Sequence, residues 1–136
     1  MDIGIIGIGL MGKAFVERYL SQGYTVRVFN RTQENAKDLA DSVIVCETAD
    51  DLISASDTII LMVSNAEAIS DILQLDQQQN LQGKTILQMA TISPTQTKEI
   101  GEAITSRGGH YLEAPVLGSI PEAKTGTLII MAGGSK

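Results

Sequence analysis

Three glycines near the amino terminus, Gly7, Gly9 and Gly12, have a spacing that suits phosphate binding. They lie in the loop Gly7-Ile8-Gly9-Leu10-Met11-Gly12, directly after the apolar run Ile3 to Ile6 and directly before an amphipathic segment that stops at Gly23. In that setting the first glycine permits a tight turn, the second lets a pyrophosphate approach the backbone, and the third lets helix and strand pack closely. The following helix N-terminus would offer unpaired N–H groups and a positive partial charge to the phosphates. A glycine triplet alone also fits a merely tight strand-to-helix turn; the flanking strand and helix carry the reading to a dinucleotide cofactor.

The end of the second strand should discriminate NAD from NADP, because an acid there would bind the ribose hydroxyls and repel a 2′-phosphate. Here the chain has Asn30-Arg31-Thr32, with Asn30 lying 18 positions after Gly12. Arg31 can make charge-assisted bonds to a phosphate, which favours NADP over NAD. The competing reading makes Arg31 a solvated charge and Thr32 a helix cap. Ser64 and Asn65 after the fourth strand, and Thr91 after the fifth, could serve a ribose, phosphate or nicotinamide, or act as ordinary turn formers and caps. His110 has no acid partner nearby in sequence and reads as a structural residue at a strand start.

The elements that must position these residues alternate. Runs rich in Ile, Val and Leu at Ile3 to Ile6, Val26 to Phe29, Val43 to Val45, Thr58 to Val63, Thr85 to Met89, Tyr111 to Glu113 and Leu128 to Ala132 read as strands. Helices are expected around Met11 to Gln22, Gln33 to Ala40, Asp50 to Ala55, Ala66 to Leu73 and Pro94 to Ser106. This is an α/β pattern of parallel strands joined by crossover helices, a Rossmann-type doubly wound sheet with helices on both faces. Phe15, Val16, Tyr19 and Leu20 form the buried stripe of the first helix. Ser93, Pro94 and Gln96 specify the start of the fifth. The polar run Asp76-Gln77-Gln78-Gln79-Asn80 reads as a surface loop.

The chain has 136 residues, of which 43% are apolar, enough for one domain over residues 1–136. Sixteen acidic against ten basic residues give a net charge of -6, which disfavours nucleic acid and anionic membranes as partners. The single Cys46 and single His110 cannot build a zinc site, so no metal is expected, and the lone cysteine suits a reducing cytoplasm. Neither a signal peptide nor a membrane-spanning run is expected.

Three segments together resemble the β-hydroxyacid dehydrogenases, the family of 3-hydroxyisobutyrate dehydrogenase and the glyoxylate/succinic semialdehyde reductases, related to 6-phosphogluconate dehydrogenase. They are Gly4 to Thr32, Thr91-Ile92-Ser93-Pro94, and Glu113 to Ser119 with Gly126-Thr127-Leu128 and Gly133-Gly134 downstream. The resemblance implies cofactor contacts from the glycine loop, Asn30, Arg31, Thr32, Val63, Ser64, Ala68 and Thr91. It implies that Gly118 and Ser119 offer donors to a small-molecule substrate, while Leu117 replaces a Ser that usually hydrogen-bonds it. Val16 and Arg18 replace a small residue and an Asn. In the family a Lys on a following all-helical domain donates the proton as hydride arrives, and that domain usually builds the dimer. No catalytic residue is expected within these 136 residues: Lys13, Lys37, Lys84, Lys98 and Lys124 read as surface charges, and Lys136 falls just after the last strand. The expected role is the cofactor domain of an NADP-dependent oxidoreductase for a small aldehyde or keto acid, inactive alone and able to form a homo-oligomer. A free-standing dinucleotide-binding module without turnover and an imine-reductase-like cofactor domain are the alternatives.

Overall fold

The computed structural model describes residues 1–77 and 79–134. Lys136 and Gln78 of the polar run lie outside them. Strands β1 (Asp2–Ile6), β2 (Thr25–Phe29), β3 (Ile44–Val45), β4 (Thr58–Leu61), β5 (Thr85–Gln88) and β6 (His110–Glu113) form one sheet in the order β3-β2-β1-β4-β5-β6, every neighbouring pair parallel. A final short strand, β9 (Gly133–Gly134), adds antiparallel to β6. The central strands β1 and β4 are buried on both faces, as a covered parallel sheet requires, while both residues of the edge strand β3 are exposed. On one face Ile3, Ile5, Val26, Val28 and Ile60 pack with Ala14, Phe15 and Val16 of α1 (Leu10–Ser21). On the other, Ile6, Ile59, Leu61 and Ile86 pack with α2 (Ala49–Ala55), α3 (Ala66–Ile72) and α4 (Pro94–Ser106). The sheet is thus Rossmann-type and doubly wound.

Helix ends follow their local chemistry. Gly23, at φ +82°, closes α1 by donating its N–H to the Leu20 carbonyl at 3.0 Å. α4 opens with the expected reciprocal cap: Ser93 Oγ accepts from the Gln96 N–H at 3.2 Å and Gln96 Oε1 accepts from the Ser93 N–H at 3.1 Å.

Two expectations need correction. The helix anticipated over Gln33 to Ala40 is a 3-10 helix, Gln33–Leu39, because its polar sequence has only Ala36 to bury. The seventh strand, expected at Leu128 to Ala132 as part of the mostly parallel sheet, is β8 (Ile129–Ile130), which pairs antiparallel with β7 (Val116–Leu117) in a separate ribbon. Between them α5 (Ile120–Thr125) has six residues, too short for a crossover that would return the chain parallel. α5, β7 and β9 were not anticipated.

Candidate cofactor site

The chain leaves β1 at the point where the sheet order reverses, between β2 and β4, which is where ligands of such sheets bind. The Gly7 N–H donates to the Phe29 carbonyl at 3.1 Å, and the Met62 N–H to the Ile6 carbonyl at 2.8 Å, so the loop is tied between the two neighbouring strands. Gly7 has φ +100°, and a Cβ there would lie 2.3 Å from the Met62 carbonyl oxygen. A Cβ on Gly12 would lie 2.1 Å from the Gly7 carbonyl oxygen, so the first turn of α1 presses directly on the loop. Gly9 is different. A Cβ there would meet no protein atom within 4 Å, leaving the open approach that a pyrophosphate needs. Gly9 is also the N-cap of α1, which has neither a side-chain cap nor an acid in its first turn, so its leading N–H groups lack intrahelical partners.

Asn30 has a structural task that the sequence did not reveal. Its Oδ1 accepts the Ile8 N–H at 2.8 Å and its Nδ2 donates to the Thr32 carbonyl at 2.8 Å, joining the glycine loop to the end of β2. Ile8 is fully buried, so with its N–H committed it shapes the loop from below. Met11 packs partly buried against the core, while Leu10 stands 76% exposed at the rim.

Gly7, Gly9, Asn30, Arg31, Val63, Ser64 and Ala68 share one cleft of about 770 Å³. Asn35, Thr48, Asp50, Asp71 and Gln74 also line it. No motif marks these five; only the folded topology brings the start of α2 and the end of α3 to this edge. Thr32 and Thr91 do not line the cleft; the Thr32 side chain makes no cap, and Thr91 is exposed just after β5. Asn65 is the N-cap of α3, its Oδ1 accepting the Ala68 N–H at 2.8 Å. Arg31 is the one cation among the lining residues, it is exposed, and among the described residues it makes no ion pair.

The motif expected to meet substrate lies apart from this cleft, on β7 and the start of α5. Leu117 is 60% exposed. Ser119 already uses both its donors: its N–H donates to Glu122 Oε2 at 3.0 Å and its hydroxyl donates to the same oxygen. These bonds hold the Glu122 carboxyl below its ordinary range.

The lysines within the described residues are mostly occupied. Lys13 pairs with Asp38 at 3.1 Å, Lys124 with Glu17 at 3.0 Å, and Lys37 with Glu34. Lys84 Nζ donates to the Ser54 and Ser56 carbonyls at 3.0 and 2.8 Å, satisfying the end of α2. His110 is an exposed strand-start residue whose N–H donates to the Lys84 carbonyl at 2.8 Å.

The model of the NAD binding domain of 6-phosphogluconate dehydrogenase matches residues 2–136. The chain belongs to this family. It is 36% identical to glyoxylate/succinic semialdehyde reductase 1 of Arabidopsis thaliana over 100% of this chain and 48% of that one. It is also 36% identical to the cytokine-like nuclear factor N-PAC of Drosophila melanogaster, over 98% of this chain and 23% of that one. Among solved structures, a reductive aminase from Aspergillus terreus in complex with NADPH4, cyclohexanone and allyl amine superposes with a TM-score of 0.90 at 27% identity, covering 98% of this chain and 47% of that one. The chain therefore spans about half the length of the reductase it resembles. No helix among the described residues is long and apolar enough to cross a membrane.

Proposed function

We propose that this chain is the NADP-binding half of an oxidoreductase that transfers hydride between NADP(H) and a small β-hydroxy acid, aldehyde or keto acid. The observation that carries the reading is Arg31, a cation without an ion-pair partner among the described residues, on the cleft just after β2 where an NAD-selective site would hold an acid. On this reading the first-turn N–H groups of Leu10, Met11 and Gly12 receive the pyrophosphate through the gap at Gly9, and Asn30 holds the loop in shape. Arg31 takes the 2′-phosphate, aided by Thr32; Val63, Ser64 and Ala68 wall the cleft, and Thr91 serves the nicotinamide side. Gly118 and Ser119 belong to the substrate side, where Leu117 removes a hydroxyl and shifts substrate choice. The proton-donating Lys is supplied by polypeptide beyond residue 136, so these residues alone bind cofactor without turnover. The similarity to the Arabidopsis reductase, and to an aminase solved with its NADPH-type cofactor, supports the cofactor and the reaction class. A fluorescence titration is expected to show tighter binding of NADPH than of NADH; equal or reversed affinity would remove Arg31 from this role.

The second reading is a dinucleotide-binding module without turnover, favoured by the similarity to a protein named as a nuclear factor. NADPH oxidation with glyoxylate or succinic semialdehyde separates the two: a chain extended past residue 136 turns over on the first reading and stays inactive on the second. The exposed apolar residues Leu117, Ile129, Ile130 and Met131 support self-association, which light scattering would detect. The unpaired Cys46 suits a reducing cytoplasm.

A further inference from the structure

At the outer wall of the cleft, Asp50 at the start of α2 meets Gln74, which follows α3. Gln74 Nε2 donates to both Asp50 carboxylate oxygens at 2.9 Å, and Gln79 Nε2 donates to Asp50 Oδ1 at 3.3 Å. Gln74 has φ +46° and is the one non-glycine residue with a positive φ among the described residues. Side chains disfavour that backbone, so the contacts around Gln74 must hold it there.

A carboxylate can only accept hydrogen bonds, so Asp50 fixes which end of the Gln74 carboxamide faces it. Nε2 turns towards Asp50, and Oε1 is left as the outward end. Among the described residues Oε1 has no hydrogen-bond donor, and it is not sealed from solvent. The pair lines the same cleft as the glycine loop and Arg31, so on the reading that gives Arg31 the 2′-phosphate it is available to the adenine attached to that ribose. We propose that Gln74 Oε1 accepts the exocyclic amino group of a 6-aminopurine, with Asp50 as the positioning residue that orients the carboxamide. This rests on the cofactor reading above and adds a base preference that the glycine loop and Arg31 do not provide.

The test compares NADPH with its hypoxanthine analogue, whose 6-oxo group presents an acceptor to an acceptor. Nicotinamide fluorescence reads both. Wild type is expected to bind NADPH about tenfold more tightly than the analogue, the value of one net hydrogen bond. Gln74→Gly adopts the positive φ without strain and is expected to bind both equally. Asp50→Ala frees the carboxamide to turn over, and the preference is expected to fall to about twofold or less. A merely structural role would weaken both ligands by one factor and leave their ratio unchanged, which would overturn the proposal, as would wild type without a base preference. Failure of wild type to bind either dinucleotide would instead bring down the cofactor reading, and this proposal with it.

Discussion

The contrast between Gly9 and Gly12 offers a sharp test of the loop, because alanine at the two positions should fail in different ways. At Gly12 the new Cβ would lie 2.1 Å from the Gly7 carbonyl oxygen, whereas ordinary contact begins at 3.4 Å. Helix and loop must separate by more than an ångström, which costs about 1–3 kcal/mol by analogy with overpacked cores. Replacing glycine inside a helix returns up to about 1 kcal/mol. The net loss for Gly12→Ala is therefore between about 0 and 3 kcal/mol, its midpoint of about 1.5 kcal/mol corresponding to a fall in Tm of roughly 6 °C for a chain of this size. At Gly9 the Cβ meets no protein atom within 4 Å, and φ is −86°, which any residue adopts. Gly9→Ala should change stability by less than about 1 kcal/mol, the difference between the two residues at an N-cap. On the proposed cofactor reading its methyl group instead enters the space that the pyrophosphate would take. An overpacking cost of about 1–3 kcal/mol there weakens NADPH roughly 5- to 150-fold. Thermal melts with and without NADPH, together with a fluorescence titration, separate the two effects. A Gly9→Ala chain that melts as low as Gly12→Ala, or that binds NADPH as wild type does, would refute the assignment of Gly9 to ligand approach.

Arg31→Ala should weaken NADPH about 10- to 100-fold, the loss of a charge-assisted phosphate contact, while leaving NADH affinity unchanged in the same titration. Asn30→Ala removes the acceptor of the Ile8 N–H, and a urea melt should show a loss of about 1–3 kcal/mol. Glu122 caps Ser119 with its carboxyl held low, so the cap is fully formed above the ordinary carboxylate range and is lost as pH falls through the depressed value. Amide exchange in α5 should accelerate over that acidic window, and Glu122→Gln should abolish the pH dependence.

The central strands were legible because a parallel strand covered on both faces is built of apolar residues, as Ile3 to Ile6 and Ile59 to Leu61 are. The glycine loop was legible for a related reason: two of its glycines leave no room for a Cβ, so spacing alone carries geometry. The last third was harder. Ser119 and Glu122 form a capping box with Pro121 in the first turn, a readable start signal, yet α5 is so short that periodicity never develops. Strand β9 is two glycines, a composition that argues against a strand and pairs only because the edge of β6 accepts it. The Asp50–Gln74 wall was unreadable in principle, since 24 residues separate its members and only the packing of α2 and α3 beside β4 brings them together.

The two halves of the proposed site differ in how much of their hydrogen bonding is already spent. Around the cofactor cleft the internal bonds build the receptor: Gly7 to Phe29, Met62 to Ile6 and Ile8 to Asn30 leave the first turn of α1 and the Arg31 guanidinium available. Little ordering remains to be done when a dinucleotide arrives, so its affinity is set mainly by these residues. At Ser119 the internal bonds consume the very donors a substrate would use, since Glu122 presents a carboxylate to both the N–H and the hydroxyl. A carboxylate substrate that engages Ser119 must displace one of like charge, and Leu117 offers no hydroxyl to help it. On the proposed reading, substrate selection becomes a competition between two carboxylates for one serine, and in a chain extended past residue 136 Glu122→Ala should lower KM for an acidic substrate without altering NADPH affinity.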